Sequence, residues 1–441
     1  MSLQAAAFDP RASLRSRPMT SAQVLAVALC VVINMADGFD ILASGFTGPA
    51  ISRDWGLGPA QLGLLFSAGP AGMVLGALAL SPAADVWGRR RTVLVCLVLV
   101  ALGMLASAAA PGLRSLIAAR VVTGIGVAAA MATINTVVAE QANDRRRDLA
   151  VCLQAAGFPL GGVAGALGVY LIGGLGWRWV FLLGAGFSAL LFAAVVAGLP
   201  ESFDFRVSRR PPDALARVNR LLARLRLPPL DALPPAPAQG GGRRRSALAA
   251  SGAGAPLICG GFFLLMFTFY FLTNWTPKLL TTYGLSLSLG VSSAVFMNLG
   301  GVLGDLVFVA LTLRWPAARL GPPFMLACLA TAVSFAFAPA TLSALMPIAF
   351  LLGFLLFASM ASLYAIVPAV FPGGVRTTGT GMALGLGRIG AVVGPYAGGL
   401  LIAAGWSRPA YLIAMAAPLA ACAAMTWALS RRNLAGLGAG A

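Results

Sequence analysis

Residues 22–49 read AQVLAVALCVVINMADGFDILASGFTGP, and the only charges among them are Asp37 and Asp40. About 20 consecutive apolar residues suffice to cross the hydrocarbon core of a bilayer, so this run has spanning length. Inside such a helix an ionised aspartate costs roughly 2.5–3.5 kcal/mol near the centre, so two of them need cations, water or protons as partners. Residues of that kind mark functional sites by default.

The rest of the chain repeats the pattern without a second pair of acids, the eighth block carrying Asp305 alone. Of 441 residues, 59% are hydrophobic and only 10% charged, too little polar surface for a soluble globule of this length. Apolar blocks fall at about 22–49, 61–84, 92–110, 112–139, 148–174 and 176–199, then at about 256–280, 288–313, 319–339, 341–368, 376–403 and 408–430. Basic residues precede the first block as in a signal peptide, but that block is full spanning length and more spans follow, so it reads as the first helix.

Twelve spans put both ends on one side. Arg11, Arg15 and Arg17, then Arg89 to Arg91, Arg145 to Arg147, the arginines of 206–245, Arg314 with Arg319, Arg376, and Arg431 with Arg432 occupy alternate loops. The opposite loops carry single cations such as Arg53, Arg114, Arg178, Lys278 and Arg408. The positive-inside rule then predicts a multi-pass inner-membrane protein with both termini cytoplasmic. Its expected organisation is a cytoplasmic tail 1–21, a six-helix half 22–199, a cytoplasmic central loop 200–255, a second six-helix half 256–430 and a cytoplasmic tail 431–441. In the central loop, Asp213 to Leu227 has helical spacing of apolar residues among arginines, and reads as a membrane-surface helix or a solvated linker.

The net charge of +18 comes from these topological clusters and not from a basic face with interleaved aromatics, which excludes nucleic-acid binding. The six cysteines stand singly in apolar blocks and the chain has no histidine, so neither a metal site nor a disulfide framework is expected, nor a cofactor, nor enzyme chemistry. The expected partners are lipid and a small solute, for a monomer.

An internal repeat supports two halves. An offset of 229 places Gly405-Trp406 on Gly176-Trp177, Leu400 on Leu171, Gly394 on Gly165, Gly390 on Gly161 and Arg376 on Arg147. The same offset sets Gly301 on Gly72, Gly353 on Gly124, Gly304 on Leu75 and Asp305 on Gly76. The fold class is therefore an all-α membrane protein of twelve transmembrane helices in two pseudo-repeated halves, as in transporters that rock one half against the other. The Gly-rich runs 157–176 and 385–399 read as close helix packing and hinges.

Ser81-Pro82-Ala83-Ala84-Asp85-Val86-Trp87-Gly88-Arg89-Arg90-Arg91 resembles the G-x-L-x-D-R-x-G-R-R signature of the major facilitator superfamily, and Arg120-Val121-Val122-Thr123-Gly124-Ile125-Gly126 resembles its fourth-helix motif. Asp37-Gly38-Phe39-Asp40 looks like the D-G-[FY]-D of the aromatic acid:proton symporters. Asn135 with Glu140, Leu199-Pro200-Glu201-Ser202, Asn274-Trp275-Thr276-Pro277, Val375-Arg376-Thr377-Thr378-Gly379 and Gly387-Arg388-Ile389-Gly390 extend that resemblance over 22–430. It implies proton-coupled import of an aromatic carboxylate by alternating access, with a cytoplasmic gate drawn from Asp85, Gly88, Arg89, Arg90, Glu140 and Arg376. Val86 and Ser81 depart from the signature, and Leu313-Arg314-Trp315-Pro316 replaces a second copy after the eighth span, so the gate is expected to be lopsided.

Spacing adds a mechanism. Asn34, Asp37, Asp40, Ser44 and Thr47 share a stripe of the first helix, expected to line a polar cavity. At about 1.5 Å per residue, Asp40 and Arg120 lie at similar depth, roughly 12 Å from the outer ends of their helices. Asp40 is then one member of an exchange that frees Arg120 for a substrate carboxylate, or it is half of a permanent structural bridge. Asp37, without a cation at its depth, is the expected carrier of the mobile proton. With no histidine, the proton must ride on a carboxylate. Arg388 is the second mid-membrane cation, suited with Arg120 to clamp a carboxylate. Phe39, Phe267, Tyr270, Trp275, Phe354, Phe357 and Tyr364 offer aromatic faces, although such residues usually pack. Of these, Phe39, Tyr270, Trp275 and Phe357, with Asn34, Asn274 and Asn298, complete the expected substrate site. Asp305 is a second titrating group or a partner of Arg314. A porter of sugars or other metabolites, a drug exporter, and a non-transporting membrane sensor are the rival readings.

Overall fold

The computed structural model describes residues 13, 16–81, 83–172, 175–209, 213–224, 227–233, 253–282, 287–339, 341–371 and 375–438. Among the described residues twelve helices are long and apolar enough to cross a membrane. In chain order they are α1 (Ser21–Trp55), α2 (Pro59–Ala79), α3 (Arg89–Ala108), α4 (Leu113–Gln141), α5 (Arg147–Ile172), α6 (Arg178–Gly198), α7 (Gly254–Thr282), α8 (Leu287–Thr312), α9 (Ala317–Phe337), α10 (Leu342–Val370), α11 (Arg376–Ala403) and α12. The last comprises Arg408–Ala416 and, after Ala417, Pro418–Gly438. Every regular element among the described residues is helical. The end where α1 begins and α12 finishes is here the terminal face, and the opposite end is the far face.

α1 opens on a reciprocal cap in which the Thr20 hydroxyl accepts the Gln23 N–H and the Gln23 side chain accepts the Thr20 N–H. It closes on Gly56, whose φ of 62° lies in the left-handed region that glycine enters without a Cβ clash. The helix runs six residues past the expected limit at 49, through an internal Pro49, so Arg53 and Asp54 lie on its last turn and not in a loop.

Paired glycines set the helix spacing. A Cβ on Gly72 or Gly76 of α2 would collide with the main-chain carbonyls of Val121 and Ile125 on α4. On α8, Gly300 and Gly304 meet the carbonyls of Phe350 and Phe354 on α10 in the same way. Four-residue glycine spacing lets two backbones approach in lipid, where association depends on close packing. The parallel contacts also correct the repeat: the α4/α10 carbonyls keep the offset of 229, but α2 and α8 are offset by 228. Gly304 therefore answers to Gly76, and Asp305 to Ala77. The offset of 229 holds for α5 and α11, where Gly161 answers to Gly390, and for Gly176 and Gly405, which both adopt positive φ, at 97° and 77°; the carbonyls that Gly161 and Gly390 meet, Met35 of α1 and Phe263 of α7, are offset by 228.

The halves meet through α1 with α7, α2 with α11 and α5 with α8. The seam is tight toward the far face, where Ser67 Oγ donates to the Val392 carbonyl at 2.6 Å and Lys278 Nζ donates to Ser52 Oγ at 3.3 Å. Toward the terminal face the halves part. Cβ atoms built on Gly381 and Gly385 of α11 meet nothing within 4 Å, and Asn135 and Tyr364 are exposed. The molecule thus holds a cavity open at the terminal face.

In the central loop the helices Phe203–Arg209 and Ala214–Arg224 pack on each other through Phe203, Val207, Val218 and Leu222, with Leu227 and Ala22 against them. Val218, Leu222 and Leu227 are therefore covered by the protein itself, while residues 225–226 and the side chain of Leu221 lie outside the described residues. Residues 234–252 of the expected loop lie outside the described residues.

Candidate functional site

Three residues fall about 60° short of a full helical turn, and that shortfall separates the two acids of α1. Asp40 turns into the first half. Arg120 Nη1 donates to its Oδ1 at 2.7 Å, while Arg120 Nη2 donates to Oδ2 at 3.2 Å and to the Asp40 main-chain carbonyl at 2.6 Å. The guanidinium lies 5.6 Å from the Phe181 ring centroid, and its Nη1 is 3.5 Å from Met104 Sδ. Both partners are about 1% exposed. The pair anticipated from helix depth is present, but it is enclosed by α3, α4 and α6, which keeps Arg120 from the cavity as a substrate contact in this conformation.

Asp37 remains at the gap between the halves. Its Oδ2 is buried with no hydrogen-bond partner among the described residues, and Arg388 and Tyr270 of the second half lie within electrostatic reach. Asn34, one turn toward the terminal face, donates to the Gln154 carbonyl, and Gln154 Nε2 donates to Asn135 Oδ1. This amide chain joins α1, α5 and α4. The expected wet stripe is thus split, since Thr47 donates to the Ala43 carbonyl of its own helix and Ser44 is buried. Gly38 explains the spacing of the motif: a Cβ there would strike the Phe158 carbonyl, so glycine alone allows α5 to close against α1 between the two acids.

Arg388 is half-buried on α11 and reaches across the gap, with Nη2 4.0 Å from Met131 Sδ of α4. It makes no ion pair among the described residues. A buried chain of aromatic rings leads away from Tyr270, which lies within electrostatic reach of Arg388: Tyr270 lies 5.6 Å from Phe269, and Phe357 lies 5.0 Å from Phe269 and 6.2 Å from Phe158. Among the described residues the Tyr270 hydroxyl finds only Met73 Sδ, at 3.9 Å. Arg388 and Asp37 thus lie within electrostatic reach of each other without forming an ion pair, with buried aromatic rings nearby.

Other expected members lie elsewhere. Phe39 packs into the space beside Gly165 and Gly184, inside the first half, because those glycines leave room for its ring. Trp275 donates from Nε1 to the Pro395 carbonyl at 3.0 Å and meets Phe66 edge-on at 5.3 Å, so it seals α7 onto α11 and α2 at the far seam. Asn274 donates to the Tyr270 carbonyl, and Asn298 to that of Ala294. Their free Oδ1 atoms face Gly45 of α1 and Gly162 of α5, so both belong to the seam. Phe354 stacks on Phe324, within the second half.

Asp305 lies one heptad from Asn298, hence on nearly the same side of α8 and about 10 Å nearer the terminal face. It is half-buried and makes no ion pair with Arg314, which is exposed beyond the helix end.

The gate residues converge on the first half. Gly88 takes φ 99° before α3, and Glu201 Oε1 accepts the main-chain N–H groups of Arg89 at 2.8 Å and Arg90 at 3.3 Å. A carboxylate at a helix N-terminus is favoured by its free N–H groups and dipole. Arg89 Nε lies 3.5 Å from Glu140, and Arg90 donates to the Val196 carbonyl. The side chains of Asp85 and Arg376 lie outside the described residues. Glu201 and Gln154 had no assigned role in the sequence; the acid after the sixth span was the available signal for the first.

Residues 28–386 match the family profile described as the Major Facilitator Superfamily. The 4-hydroxybenzoate transporter PcaK of Pseudomonas aeruginosa is 32% identical, over 94% of this chain and 94% of its own. The gallate transporter of Pseudomonas putida is 30% identical, over 95% of this chain and 94% of its own. Among solved structures, the xylose transporter XylE of Escherichia coli, in a partially occluded inward open conformation, superposes with a TM-score of 0.72 at 14% identity, covering 92% of this chain and 98% of that one.

Proposed function

Because the chain belongs to the major facilitator superfamily, in the branch of its aromatic acid transporters, we propose that it imports an aromatic carboxylate of the benzoate or hydroxybenzoate type together with protons. It is a transporter and not an enzyme. The observation that carries the substrate reading is Arg388, a mid-membrane guanidinium that reaches across the gap and pairs with no acid among the described residues. An uncompensated buried cation is costly, and a substrate carboxylate supplies the missing charge in the bidentate geometry that guanidinium favours.

The ring of the acid then lies against Phe269, Phe357 and Phe158, with the Tyr270 hydroxyl at its edge. Asp37 takes the proton. Once Asp37 is neutral and Arg388 is paired, the cavity holds no uncompensated charge, and the halves close over it more readily. Asp40 serves the coupling indirectly. Arg120 grips it at three points away from the cavity, so the pair holds α1 on α4 while Asp37 titrates, and an exchange of Arg120 onto substrate is disfavoured. Gly88, Arg89, Arg90 and Glu140, braced by Glu201, form the first-half side of the gate, to which Asp85 and Arg376 are added from the sequence. The arginine-rich terminal face is assigned to the cytoplasm of the inner membrane, and the working unit to a monomer.

The test is uptake into proteoliposomes under an imposed pH gradient, acidic outside. Hydroxybenzoates and benzoate are expected to accumulate, with sugars and non-aromatic organic acids excluded. Equal accumulation of a sugar, or no acid accumulation, contradicts the reading.

A further inference from the structure

The far face carries five cations, Arg53, Arg114, Arg178, Lys278 and Arg408, against one acid, Asp54. That acid is engaged, since its Oδ2 accepts the Trp177 indole N–H at 2.9 Å. Arg178 lies 4.4 Å from the Trp177 ring centroid and donates to the Ala110 carbonyl at 3.2 Å, within the first half. Arg408 donates to the Phe335 carbonyl, within the second. The face as a whole therefore carries an excess of positive charge, which attracts anions.

Lys278 differs from the other four in standing on the seam. It lies near the far end of α7, half-buried, and its Nζ reaches across to Ser52 Oγ of α1 at 3.3 Å. The serine hydroxyl donates to the Leu57 carbonyl at 3.0 Å, which leaves its lone pairs for the ammonium. An ammonium has three donors, and no described carboxylate pairs with this one. One turn deeper on α7 is Asn274, 1% exposed, whose unpartnered Oδ1 lies 3.3 Å from the Cβ position of Gly45; one turn further is Tyr270, within reach of Arg388. Lys278, Asn274 and Tyr270 follow at four-residue steps and so form one stripe, about 12 Å long, from the far face to the cavity.

We propose that Lys278 is the far-face receiving site for the substrate carboxylate. Opening the far side must part α1 from α7, and the ammonium then exchanges a neutral hydroxyl for a carboxylate. The anion moves down the stripe to Arg388, while Asn274 and Tyr270 present polar atoms to it and to its ring substituents. This site rests on the import of an aromatic anion proposed above.

The experiment compares KM for radiolabelled 4-hydroxybenzoate in right-side-out and inside-out membrane vesicles, for the wild type, Lys278→Gln and Lys278→Arg. Far-face KM is expected to rise about fivefold or more in Lys278→Gln, with terminal-face KM unchanged and most of the affinity kept in Lys278→Arg. Added salt is expected to raise the far-face KM of the wild type more than that of Lys278→Gln. An unchanged far-face KM overturns the proposal, as do equal shifts from both faces, which would reduce Lys278 to a latch. Should Lys278→Gln fail to fold, a wild-type far-face KM indifferent to salt still overturns it. No uptake by the wild type removes the import reading itself, and this site with it.

Discussion

Arg120 holds Asp40 by both carboxylate oxygens and by its main-chain carbonyl, at 2.7, 3.2 and 2.6 Å, in a site from which solvent is excluded. Removing one partner leaves a buried charge without compensation, which typically costs about 3–5 kcal/mol. Arg120→Gln is therefore expected to lower thermal stability in detergent far more than a lipid-facing substitution does. The double variant Asp40→Asn with Arg120→Gln is expected to recover part of the loss. Single variants with wild-type melting would show that the bridge contributes little.

Arg388 presents the opposite case, a cation that forms no ion pair among the described residues. Its replacement is expected to weaken substrate more than it weakens the fold. Arg388→Gln should raise KM at least about tenfold, equivalent to about 1.4 kcal/mol, while melting stays near wild type. Arg388→Lys should fall between, since an ammonium keeps the charge but loses the planar fork. Unchanged KM in both variants would remove the carboxylate from this position.

Glycines divide by what a methyl group would meet. On Gly38 it strikes the Phe158 carbonyl, and on Gly381 it enters open space. Gly38→Ala is expected to push α5 from α1 and abolish accumulation with reduced folded yield. Gly381→Ala is expected to fold normally, with a gain of up to about 1 kcal/mol from helix propensity. Comparing folded yield and uptake for the two checks the close approach, and an active Gly38→Ala protein would contradict it.

Glu201 caps α3 through two main-chain N–H groups. Glu201→Gln retains an acceptor but removes the charge, so a loss of about 0.3–1 kcal/mol is expected in denaturation. Glu201→Ala removes both and should cost more. Equal stability of all three proteins would show the cap to be incidental.

The spans were legible because runs of apolar residues leave no alternative in a bilayer, and the Asp40–Arg120 pair was legible because helical rise converts position into depth. Rotation about the helix axis was not. In a helix apolar on every side, periodicity does not separate the wall of a cavity from the contact with the next helix, so Phe39 and Trp275 read as substrate contacts and lie in packed seams. What turned Phe39 inward was the space left by Gly165 and Gly184, on helices far away in sequence. The shift of α7 and α8 by one residue escaped for a related reason: the offset was anchored on glycines in and after α5 and α11, and a single-residue change in a connection leaves no mark in composition.

Asp37 as the proton carrier is the centre of the account, and gradient-driven uptake separates it from Asp40 most directly. In proteoliposomes with acid outside, Asp37→Asn is expected to lose accumulation of labelled 4-hydroxybenzoate against its gradient while still exchanging internal for external substrate. Accumulation at the wild-type level by Asp37→Asn would contradict the assignment.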